Sequence, residues 1–94
     1  MAVGVLVVHI EIPGCRSLKE KRSRLKPLLA RLHREFNVAA AELDLQDSWQ
    51  EAVVGIAAIS NDRTHTQRLL LKVPVWIEST FPDITLIDER IQML

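Results

Sequence analysis

Arg16, Lys19, Lys21, Arg22 and Lys26 bring five cationic heads into eleven consecutive residues, beside the hydroxyl of Ser17. Guanidinium forks and ammonium groups at that density suit an anion with several oxygens, above all a phosphate. The wider window from Arg16 to Arg34 holds eight of the chain's twelve Lys and Arg and one acid, Glu20, giving +7 there and −7 elsewhere. A formal net charge of zero hides that separation. Ser17 followed by Glu20 is a capping box, so a helix is expected to open at this point. Lysines in its first turn oppose the helix macrodipole, each unfavourable by about 0.3–1 kcal/mol at an exposed site. Backbone N–H groups after Ser17, together with Arg16 and Lys19, converge on one end and would hold a phosphate. On a helical wheel Lys21 and Arg22 flank the apolar arc, so their stems are expected to pack while their heads reach the rim. The competing expectation is a solvated face, with Glu42, Asp44 or Asp88 neutralising Lys21 or Arg22 from within.

Other reactive side chains are sparse. Cys15 is the single cysteine, which rules out an intramolecular disulfide framework and a multi-cysteine zinc site. No histidine adjoins it in sequence to serve as a base, so a thiol nucleophile is disfavoured. His9, His33 and His65 lie far apart; His9 and Glu11 share one side of a strand and are expected to face solvent. Glycine-rich nucleotide loops and His-Glu-x-x-His are absent from the sequence. No catalytic residue, metal site or cofactor is therefore assigned. Tyr is absent and only Trp49, Trp76, Phe36 and Phe81 are aromatic, too few for a base-stacking platform.

The elements that must position the cluster follow from periodicity. Val3 to Ile12 is β-branched, nearly continuous and closed by Pro13-Gly14, which predicts a central strand. Leu18, Leu25, Leu28, Leu29, Leu32 and Phe36 form one stripe of a helix from Ser17 to about Phe36, with Pro27 on the opposite side. Asn37 to Asp44 and Trp49 to Ser60 read as strands joined by a hairpin. Asn61, Asp62 or Thr64 caps a second helix running to about Thr80, and Ile84 to Met93 supplies a last strand. The order β-α-β-β-α-β predicts an α+β, ferredoxin-like βαββαβ fold. It is a four-stranded antiparallel sheet with two helices on one face, built as one domain over residues 1–94. Apolar residues on both faces of the first and third strands predict a homodimer through the apolar sheet face. No apolar run reaches the roughly 18 residues that span a bilayer, and a cytoplasmic location without membrane contact is the expectation.

Ser17-Leu18-Lys19-Glu20-Lys21-Arg22, the following Leu25-to-Leu32 stretch, Phe36-Asn37-Val38 with Glu42, and Asp47-Ser48-Trp49-Gln50 together resemble the YlxP-like family of small bacterial proteins. The resemblance covers almost the whole chain. It implies a ferredoxin-like fold and offers no catalytic residues. Genes of that family often lie beside those for translation initiation and ribosome maturation factors, which suggests RNA or the ribosome as partner. The expected function is a non-enzymatic anion- or RNA-binding module acting through Arg16, Ser17, Lys19, Lys21, Arg22 and Lys26. A small-ligand or regulatory homodimer resembling ACT-type domains is the alternative. Acylphosphatases share the topology and bind phosphate through an arginine in the first loop, a role open to Arg16 only if Asn37 can direct water there.

Overall fold

The computed structural model describes residues 1–94. Six elements follow in order: β1 (Ala2–Glu11), α1 (Leu18–Phe36), β2 (Ala39–Asp44), β3 (Glu51–Ser60), α2 (Arg63–Thr80) and β4 (Thr85–Met93). The strands lie in the order β2-β3-β1-β4, every neighbouring pair antiparallel. Each helix returns the chain to a strand beside, but not next to, the one it left, which is the split βαβ arrangement of a ferredoxin-like fold.

Alternation along the central strands sorts the two sheet faces. Leu6, Val8 and Ile10 of β1 and Ala52, Val54 and Ile56 of β3 are buried, while Val3, Val5, Val7, Val53 and Ala57 are only half-buried. Leu25, Leu28 and Leu32 of α1 and Leu70, Val73 and Ile77 of α2 join the first set in one core. Both helices therefore lie on a single face and leave the other open. An edge-on aromatic chain, Phe36 to Trp76 at 5.3 Å and Trp76 to Phe81 at 5.8 Å, links the two helices at the margin of the core.

Two boundaries shift by two residues from their sequence expectation, each for a local reason. Asn37 ends α1 rather than opening β2: it takes the left-handed conformation (φ 53°) and its N–H donates to His33 O at 3.0 Å. Asparagine tolerates that geometry better than most residues. The hairpin spans Leu45 to Gln50, so β3 opens at Glu51 and not at Trp49. Of the three possible caps for α2, Asp62 is the one used, its Oδ1 accepting from the N–H groups of Thr64 (3.0 Å) and His65 (3.3 Å). No helix is long and apolar enough to cross a membrane.

Candidate anion-binding surface

The start of α1 is built as its residues dictate. Ser17 is extended and its Oγ accepts from Glu20 N–H at 3.0 Å, while Glu20 Oε2 accepts from Arg16 N–H at 2.7 Å. The first satisfies a donor that the helix start leaves open, and the second ties the residue before the cap back to the first turn. The Ser17 hydroxyl is thus occupied as a cap, and Glu20 is the acid that offsets the lysines around it. Replacing Ser17 by Ala is expected to lower stability by about 1 kcal/mol, seen as a melting temperature about 4–8 °C lower.

Lys21 departs from the expectation that its head meets an anion. Its residue is 1% exposed, Nζ lies 2.8 Å from Glu42 Oε2, and Nζ donates to Leu45 O at 2.7 Å. The carboxylate contact is close but off the hydrogen-bonding direction, so charge rather than an aligned bond holds it. Lys21 sits on the inner side of α1, where Glu42 on the helix-facing side of β2 meets it. It ties α1 to the hairpin, whose Leu45 is itself left-handed (φ 62°), and it belongs to the frame and not to the binding surface.

The other members of the cluster stay open. Arg16, Lys19, Arg22 and Lys26 are exposed and form no ion pair. Further along, Arg24 is engaged, donating to Pro13 O (3.1 Å) and Asp83 O (3.3 Å). Arg31 is engaged too, its guanidinium 5.5 Å from the Trp76 ring centre and Nη2 3.6 Å from Glu35. Arg34 is free, and so are Arg63, Arg68 and Lys72 on α2.

The fold turns a charge split along the chain into a split between layers. The two helices carry ten Lys and Arg against three acids, a balance of +7, and the sheet and loops carry two against nine, a balance of −7. The three cations of α2 fall outside the basic window of the sequence and join it only because both helices share a face. Trp49 is a second feature that sequence reading passed over. It is 53% exposed in the hairpin, next to Gln50, whose Nε2 donates to Cys15 O at 3.3 Å in the Arg16 loop. The Asp47-to-Gln50 motif marked the position, but its exposure and its neighbour depend on the hairpin folding back onto that loop.

Two chemistries are set aside by geometry. Cys15 is fully buried with Sγ 3.4 Å from Ser17 O, out of reach of a substrate. Arg16 and Asn37 lie at opposite ends of α1, whose 19 residues span about 28 Å, so they cannot serve one acyl phosphate.

Residues 3–91 match the family described as "Protein of unknown function (DUF503)". A protein of Bacillus subtilis (strain 168), named "Uncharacterized protein YlxP", is 47% identical over 68 residues, covering 72% of this chain and 73% of that one.

Proposed function

The chain belongs to the DUF503 family, and from that premise we propose that it is a non-enzymatic module that binds structured RNA, that of the ribosome included, through phosphates laid along its helical layer. The observation that carries this reading is the row of exposed cations without an acidic partner: Arg16, Lys19, Arg22, Lys26, Arg34, Arg63, Arg68 and Lys72. A solvated helix face ordinarily interleaves charges of both signs. Here the acids of the helices are largely committed, Glu20 to the cap and Glu35 to Arg31. Two helices each close to 30 Å long present cations over a span comparable to one turn of a duplex. Such contacts follow the backbone and read little sequence. Trp49 adds one exposed ring beside the Arg16 loop, enough for a single unpaired base and not for a stacking platform. The sheet's open face takes no part in this contact.

Titration of a structured RNA at several salt concentrations tests the reading. If about five phosphates are neutralised, log K falls with log salt at a slope of roughly −4 to −5. Arg22→Gln with Lys26→Gln should reduce that slope by about two. A wild type that binds no structured RNA, or binds it with a flat salt dependence, overturns the proposal. A rise in melting temperature with a small metabolite while RNA stays inert would point instead to a ligand-regulated domain.

A further inference from the structure

We propose that the hollow between the last turn of α1 and the opening turns of α2 is the seat of one nucleotide, its phosphate on Arg68, Lys72 and His65 and its base against Phe36 and Leu69. The hollow has a volume of about 470 Å³, more than any other on the surface, and falls in the roughly 300–1,000 Å³ range of small-molecule sites. Glu35 and Phe36 line it from α1, and His65, Arg68, Leu69 and Lys72 line it from α2.

The periodicity of α2 makes one side of the hollow cationic. His65, Arg68 and Lys72 fall within about 60° of one another around the helix and within about 10 Å along it. All three side chains are exposed, and none has an ion-pair partner. The acids beside them in sequence are turned elsewhere. Glu35 Oε1 lies 3.6 Å from Arg31 Nη2, and Asp62 Oδ1 accepts from the N–H groups it caps. A guanidinium fork, an ammonium and an imidazole on one stripe offer a phosphate several donors at once.

The other side is apolar. Phe36 and Leu69 are half-buried, packed against the core and also facing the hollow. A bare phosphate gains nothing from such a wall, and an apolar ligand gains nothing from the cations. A nucleotide carries both parts, an anion joined through a ribose to a base with an apolar face. The two parts of the hollow adjoin as that ligand requires, since Leu69 neighbours His65 and Lys72 at helical spacing. The inference rests on the RNA reading for the source of the nucleotide, one that has left its stack at a bulge. It adds to the backbone contacts a preference for RNA that offers such a base.

Adenosine 5′-monophosphate is the probe, read by the fluorescence of Trp76, whose ring centre is 5.3 Å from that of Phe36. Trp49→Phe leaves Trp76 as the single indole. Quenching should saturate with a Kd of about 1 mM, and inorganic phosphate or adenosine alone should bind about 10-fold or more weakly. Arg68→Gln with Lys72→Gln should weaken the nucleotide about 10-fold or more, with the far-UV spectrum unchanged because both side chains are exposed. A hairpin RNA with one bulged adenosine should displace the nucleotide, and the same hairpin without the bulge should do so about 10-fold less well. Quenching that never saturates, that survives the double variant, or that phosphate or adenosine matches overturns the seat. Saturable binding that the bulged hairpin does not displace keeps the seat and assigns it to a free nucleotide. Equal binding of both hairpins with no response to the monophosphate overturns the seat and leaves the RNA reading standing.

Discussion

Lys21→Met is expected to destabilise the fold by about 3 kcal/mol, whereas Lys21→Met combined with Glu42→Leu returns to within about 1 kcal/mol of the wild type. The asymmetry follows from the environment of the pair. The Lys21 and Glu42 side chains are 2% and 21% exposed, and their charges meet at 2.8 Å on the inner side of α1. Removing the ammonium leaves the Glu42 carboxylate facing an apolar wall, and it withdraws the donor to Leu45 O. An uncompensated buried charge is worth several kcal/mol, while a buried pair exchanged for two well-packed apolar side chains is often neutral. Small domains are stable by only about 5–15 kcal/mol, so the single variant should lose a large fraction of that margin. Urea unfolding of the wild type, both single variants and the double variant gives the coupling energy directly. A Lys21→Met cost below about 0.5 kcal/mol would mean that the ammonium is not held by Glu42, and it would return Lys21 to the binding surface.

That residue also shows where sequence reading stops. The capping box, the leucine stripe and the β-branched runs are local patterns, and each fixed the kind of element because neighbouring residues alone satisfy or bury it. The seam position of Lys21 was equally legible. Which way its head turns was not, because the answer lies with Glu42, brought in by a strand 21 residues later. Glu42 had been one of three acids able to neutralise Lys21 or Arg22, and only the pairing of β2 with β3 puts it on the helix side while Asp44, beyond a bulge, is exposed. Arg22 stays unpaired for the same reason: no acid reaches its outward side. Element ends depended on equally specific details, such as Asn37 accepting a left-handed backbone instead of continuing as a strand. The union of the α1 cations with Arg63, Arg68 and Lys72 required the topology itself, since nothing along the chain says that two helices will share a face. Likewise the packing of Leu43 onto Gly55 depends on the pairing of β2 with β3 and has no signature in either strand alone.

Reversing the charge of Lys19, Arg22 and Lys26 to Glu should weaken RNA binding by about 100-fold or more at physiological salt while leaving the fold at least as stable. Each position removes one phosphate contact and sets a carboxylate against the backbone, about 1 kcal/mol or more apiece, and the three effects act on one ligand. Stability moves the other way because Lys19 occupies the first turn of α1, where a negative side chain is favoured by about 0.3–1 kcal/mol and a positive one is not. None of the three residues has a hydrogen-bond or ion-pair partner to lose. The opposed signs are the useful part of the experiment. A merely solvated face would give the same gain in stability with no change in binding, and a face that supports the fold would give a loss in both. Only a surface that trades some helix stability for contact with an anion gives tighter folding together with lost affinity. Thermal unfolding and filter binding on one preparation separate the three, and unchanged RNA affinity in the triple variant would remove the helical layer as the binding surface.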